Sequence, residues 1–210
     1  MSTISLFLIL MVFMLMNTAK KEPTSTSSAV LHIIWDWIVD YGKSFLGEYA
    51  EEAMPFLTTV FIFILTSNWI GDLFGTVFEA LDIPFRTPTA NISVTAGLAI
   101  GMLLWIHSWF IRHFGVKKYL KIYFAPMWWM FPLNILEHLT RVVSLSLRLY
   151  GNVSGEHLVV AILALLAPFA LPVPMIALSL FTGFIQAYIF FTLGLVYLGA
   201  MIEEGGAHNE

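Results

Sequence analysis

The sequence predicts an all-α polytopic membrane protein. It is expected to comprise one membrane domain over residues 1–210, with an amphipathic surface helix, a transmembrane hairpin and two long, strongly tilted membrane helices. Three observations carry this. Of the 210 residues, 59% are hydrophobic and only 11% are charged, whereas a soluble domain spends about a quarter on charge. Mean hydropathy is +0.82, and the apolar segments are too long and too numerous for a peripheral anchor. Finally, a long polar stripe interrupts the most apolar part of the chain, between Leu133 and His157.

The same composition removes several function classes. A net charge of −4 gives no nucleic-acid footprint. The absence of cysteine removes disulfides, thiolate metal sites and thiol chemistry, and leaves the redox compartment unreported. No histidine pair has metal-ligand spacing, and no Gly-x-Ser-x-Gly, phosphate loop or dinucleotide fingerprint occurs. No cofactor, no metal and no catalytic residue of its own are expected.

Residues 1–20 read as an N-terminal span, built on the apolar run from Ser5 to Asn17 and followed by Lys20 and Lys21. A signal peptide would carry its basic residues before the run, so an uncleaved span ending in the cytoplasm is expected. The run is shorter than the ~20 residues a span wants. Either an upstream extension is missing or the helix begins at the interface. Pro23 to Ala29 is a polar linker with helix-start chemistry.

Residues 29–52 predict an amphipathic surface helix. Ile34, Ile38, Tyr41 and Phe45 share one face, while Asp36, Asp40, Lys43 and Glu51 share another. Trp35, Trp37 and Tyr41 suit the headgroup region. The apolar face lies either on the membrane surface or against another subunit.

Residues 53–113 predict the hairpin, with spans Met54–Ile70 and Ile92–Ile111 and Asn68 as a minor polar interruption. Gly71 to Pro88 reads as a loop carrying Asp72, Glu79, Asp82 and Arg86. Arg112, Lys117, Lys118 and Lys121 put four of the ten Lys/Arg residues into the next connection. By the positive-inside rule that basic connection is cytoplasmic and the acidic loop is outside. Residues 118–171 predict a long helix that either breaks near Gly151–Gly155 or lies strongly tilted; as a single helix it would exceed twice the bilayer's reach. Residues 172–204 predict the C-terminal helix, with Ser179, Thr182 and Gln186 on one face and an acidic end at Glu203 and Glu204. The C-terminus is expected in the cytoplasm, and the bacterial plasma membrane is the expected location.

On the long helix, Glu137, Arg141, Ser144, Arg148, Asn152 and Glu156 follow at steps of three or four and share a face. From Glu137 to Glu156 the rise is ~28 Å, close to the hydrocarbon thickness. Glu137 and Arg141 form an i,i+4 pair, which on its own reads as a structural network. Arg148 is different, because its nearest acids along that face are two or more turns away. A charge at mid-membrane costs ~3 kcal/mol on insertion scales, and arginine cannot discard its proton to escape. Arg148 is therefore suited to pairing with a carboxylate brought from elsewhere. Glu156 and His157 are suited to proton relay, and Gln186 to hydrogen bonding across to the stripe. His107 is expected to be satisfied within its span, and His32, His113 and His208 to be interfacial or exposed.

At Ser144-Leu145-Ser146-Leu147-Arg148-Leu149-Tyr150-Gly151-Asn152 the sequence resembles subunit a of the F-type ATP synthases, whose signature is S-L-x-L-R-L-[FY]-G-N. The resemblance extends to Thr66-Ser67-Asn68-Trp69-Ile70-Gly71, to Pro88-Thr89-Ala90-Asn91, and to Ile185–Phe190 with Val196-Tyr197-Leu198. It covers most of residues 30–205. It implies a stator subunit whose two long helices curve around the c-ring, a rotating ring of small membrane subunits, with peripheral-stalk b subunits and membrane lipid as further partners. It also implies two ion half-channels that couple proton or Na⁺ translocation to ATP synthesis. Arg148 matches the family's essential arginine, Asn152 its neighbouring asparagine and Gln186 the glutamine facing that arginine. The family often has Glu at the position of Asn134, with the acid here at Glu137. Its relay acid or histidine aligns best with His157, leaving Glu156 where glycine is common, and Ser179 stands where a partner of that relay often sits. The N-terminus is shorter than that of many relatives. The alternative is a secondary transporter with Arg148 as a fixed anion site, a class that tends to show internal repeats and paired broken helices; neither is visible.

Overall fold

Two glycines with positive φ punctuate the chain. Gly47 (φ 56°) ends the first helix, α1 (Thr26–Leu46), and opens a 3-10 turn, Gly47–Tyr49, before α2 (Ala50–Ala80). Gly115 (φ 81°) separates α3 (Ile92–Phe114) from the short α4 (Val116–Phe124). Only glycine takes such backbone angles without steric cost. Two 36-residue helices complete the chain, α5 (Phe131–Leu166) and α6 (Pro172–Ala207). The computed structural model describes residues 26–80, 89, 91–124, 131–166 and 172–207, and among these there is no strand. The expected N-terminal span, 1–20, lies outside the described residues.

Among the described residues, three helical stretches are long and apolar enough to cross a membrane: Trp35–Leu73, Ile92–Phe114 and Pro174–Gly205. The protein is an all-α polytopic membrane protein. The spanning helices bury residues at three- and four-residue steps. On α3 the buried residues are Thr95, Ala99, Met102, Ile106, Trp109 and Phe110, while Ile100 and Leu104 are left to the surroundings. Asn91 starts α3 by accepting the Ser93 N–H (2.9 Å), as an N-cap should.

α6 is the axis of the bundle. Gly183 and Gly194 lie against Asn68 and Leu57 of α2, so the two helices run antiparallel. Gly199 meets the Phe45 carbonyl of α1, and Gly205 meets the Phe110 ring of α3. Small residues let helix backbones approach closely where lipid supplies no hydrophobic drive between them. α2 and α3 touch through the stacked Phe56 and Trp105 rings (4.2 Å) and through Glu52 against His113 (2.8 Å), while α3 packs chiefly on α5. The basic end of α3, the start of α2 and the end of α6 thus lie at one end of the bundle.

One expectation changes and two gain detail. α1 packs on this chain's α2 and α6. Val39 and Leu46 are buried, and the Tyr41 hydroxyl meets that of Tyr188 at 2.8 Å. The loop expected from Gly71 begins later, because α2 continues to Ala80; Gly71 and Asp72 are buried, and packing on α6 outweighs the glycine's weak propensity. His113 is exposed, as expected, and is paired with Glu52.

α5 shows no break at Gly151–Gly155. At 36 residues it is ~54 Å long, well beyond the ~30 Å thickness of a bilayer's hydrocarbon.

Candidate functional site

α5 carries two faces of opposite character. Leu145, Ser146 and Leu149 are buried against the bundle. Ser144, Leu147, Arg148, Gly151, Gly155 and Leu158 are exposed on the other side. Arg148 lies at the midpoint of α5, and among the described residues no ion pair or hydrogen bond reaches it. A Cβ added at Gly151 or Gly155 would meet open space. Among the described residues, this exposed face carries the permanent positive charge of Arg148 beside Leu147 and Leu158.

The inner side holds a polar cluster contributed by three helices. Glu156 accepts a hydrogen bond from the Thr182 hydroxyl on α6. One turn of α2 is pinned to α6 by the Asn68 amide donating to the Gly183 carbonyl (3.3 Å) and the Trp69 indole donating to the Leu180 carbonyl (3.0 Å). This pinning works because Gly183 has no side chain: a Cβ there would come within 3.1 Å of Asn68 Cβ and 3.6 Å of Asp72 Oδ2. Asp72 thereby rests over the α6 backbone beside Thr182, and its carboxylate interacts electrostatically with Glu156.

Asn68 Oδ1, Asp72 Oδ2, Ser179 Oγ and Gln186 Nε2 are buried with no hydrogen-bond partner among the described residues. Each such atom costs ~1–3 kcal/mol if left unmade. Ordered water commonly supplies such missing bonds in polar, enclosed places.

The structure separates the residues that the sequence grouped as one stripe. Glu137, Ser144 and Arg148 are exposed on α5, while Glu156 turns toward α6. Arg141, Asn152 and His157 lie within α5, and their side chains are outside what the structure describes. Ser179 and Gln186 are buried on α6, the latter only 4% exposed, and Gln186 makes no hydrogen bond to Arg148. Asp72 was assigned by sequence to an outside loop, and Asn68 to a minor interruption; both belong to the cluster. The signal that could have found them is their i,i+4 spacing on an apolar helix, which gives them one face.

A sequence profile of the family described as ATP synthase A chain matches residues 1–199. The chain belongs to this family. A relative named ATP synthase subunit a from Trichlorobacter lovleyi is 36% identical over 201 residues, covering 94% of this chain and 83% of the relative. Another of the same name from Syntrophobacter fumaroxidans is 43% identical over 171 residues, covering 79% of this chain and 67% of the relative. Membership of the ATP synthase subunit a family makes this chain a membrane component of an ATP synthase complex, with a role in ATP synthesis and ion transport. It fits a long helix that carries Arg148 outward and an acidic cluster inward.

Proposed function

We propose that the chain forms two ion half-channels beside a rotating c-ring and couples translocation of H⁺ or Na⁺ to ATP synthesis, without performing ATP chemistry itself. The observation that carries this reading is the placement of Arg148: exposed, at the midpoint of α5, on an apolar face opened by Gly151 and Gly155. Such a face suits a passing apolar helix that presents a carboxylate. Peripheral-stalk b subunits would hold the chain against the ring's torque.

Arginine stays charged throughout. A ring carboxylate opposed to Arg148 at ~4 Å, in an effective dielectric near 20, gains about 4 kcal/mol as an anion. Facing lipid instead, it keeps its ion, because desolvation penalises the charged form. Release therefore occurs at Arg148, and rebinding occurs from the other half-channel. The fixed charge also bars an ion from passing directly between the two.

The two half-channels lie on opposite sides of Arg148. α5 begins near α4 at the basic end of the bundle and leads away from it, since Glu156 meets Thr182 far from the C-terminal end of α6. Asp72 is 20 residues along α2 from Glu52, a rise of ~30 Å. With the basic end cytoplasmic, the Asp72–Glu156–Thr182–Ser179 cluster serves the outer half-channel, with His157 as a second relay. Glu137 and Arg141 serve the inner one, while Asn152 and Gln186 line the passage near Arg148. The C-terminus is then cytoplasmic, and the bacterial relatives support a plasma-membrane location.

The test is ion-gradient-driven ATP synthesis in vesicles holding the assembled complex with Arg148→Ala. Coupled synthesis should vanish while passive ion leak rises. Synthesis near the normal rate would sink the mechanism. Should the variant fail to assemble, Arg148→Lys retains the charge and asks the same question.

A further inference from the structure

α4 is a three-sided helix, and one side is unused by the bundle. Its inner side is anchored: the Tyr119 ring packs on His107 (5.6 Å) and Phe110 (6.4 Å), and Ile122 packs against the core. Lys118 turns over the Phe114 ring (5.6 Å). That is also the side approached by the end of α6, where Gly205 meets Phe110 and Phe114 close to Glu203 and Glu204.

The outer side has a different chemistry. Lys117 and Lys121 are exposed at i,i+4 spacing. Beside them, also at i,i+4, stand Val116 and Leu120, 56% and 49% exposed. Arg112 adds a third exposed charge from the last turn of α3, across the Gly115 corner. Among the described residues no carboxylate pairs with Arg112, Lys117 or Lys121, and Glu52 is paired with His113.

We propose that this face of α4 binds an anionic phospholipid, with Arg112, Lys117 and Lys121 at its phosphate and Val116 and Leu120 between its acyl chains. Basic residues next to exposed apolar ones, on a helix lying where a membrane-crossing helix ends, match an interfacial segment drawn to acidic headgroups. Lysine stems reach from an apolar bed to a charged surface. An acidic soluble partner would satisfy the lysines but leave Val116 and Leu120 in water. The proposal is independent of the half-channel reading, since no residue is shared.

The assembled complex in vesicles of phosphatidylcholine and phosphatidylglycerol tests this, with photoactivatable analogues of each lipid and mass spectrometry of the labelled segment. The phosphatidylglycerol probe should label Val116–Phe124 about fivefold more than the phosphatidylcholine probe. Lys117→Gln with Lys121→Gln should bring the ratio near one, and Lys117→Arg with Lys121→Arg should keep it. A ratio near one in the unaltered protein overturns the proposal, as does a ratio unmoved by the glutamine pair. Zero-length coupling of Lys117 or Lys121 to a carboxylate of another subunit, without lipid preference, overturns it in favour of a protein partner.

Discussion

The Thr182 hydroxyl of α6 donates to the Glu156 carboxylate of α5, joining the two long helices on the inner side while Arg148 faces away. The Glu156 carboxylate is thus oriented by a residue 26 positions later. Thr182→Val keeps the shape of the side chain and removes the donor. A hydrogen bond to a charged group contributes ~1.5–3 kcal/mol, and ~1.4 kcal/mol is tenfold in rate. Coupled ATP synthesis in vesicles should fall about tenfold with the complex intact, and Thr182→Ser should restore it. Equal rates in the valine and serine variants would leave Thr182 as packing only.

Asp72 provides a second test of the cluster. Asp72→Asn preserves size and packing over Gly183 but removes the carboxylate. If ions pass here, gradient-driven synthesis should fall tenfold or more, since a positioned acid or base typically contributes ~10²–10⁴-fold. Unchanged synthesis would make the Asn68–Asp72 turn purely structural.

The packing axis is open to a stability test. A Cβ at Gly199 would come within 2.9 Å of the Phe45 carbonyl oxygen, a backbone atom that cannot swing aside. Gly199→Ala should destabilise by about 1–3 kcal/mol. Gly97 is helical with nothing within 4 Å of its added Cβ, so Gly97→Ala should stabilise by up to ~1 kcal/mol through propensity. Thermal unfolding midpoints of the detergent-solubilised chain should move in opposite directions.

His113 closes the basic end of the bundle. Its Nε2 lies 2.8 Å from Glu52 Oε2 and its Nδ1 lies 2.9 Å from the Trp109 carbonyl, with its ring stacked on Trp109 at 4.0 Å. Both bonds hold to an ionised Glu52 only when each ring nitrogen carries a proton, because a carbonyl and a carboxylate both accept. Glu52 is 60% exposed, so Glu52→Gln should cost less than ~1 kcal/mol. His113→Ala also removes the stacking and should lower the unfolding midpoint further than Glu52→Gln does.

The hairpin and C-terminal spans were legible because burial in lipid needs apolar runs; that Asn91 caps the second hairpin helix emerged only with the structure. Arg148 was legible because a permanent charge has no place on an apolar helix without a task. The extent of α2 was not legible. Gly71 and Asp72 look like a loop start, and only the close approach of Gly183 makes their burial favourable. The covering of α1 was equally hidden, since an amphipathic stripe reports that a face is buried but not by what.

The sequence by itself determined the class, the membrane-crossing stretches, the family and the residue of fixed charge, because these follow from composition and from spacing along one helix. The tertiary structure alone decided which polar residues meet. Asp72, Glu156 and Thr182 come from three helices separated by more than 80 residues on one side and 26 on the other. Their meeting depends on where α6 glycines let α2 approach, and no one-dimensional periodicity records the register between helices.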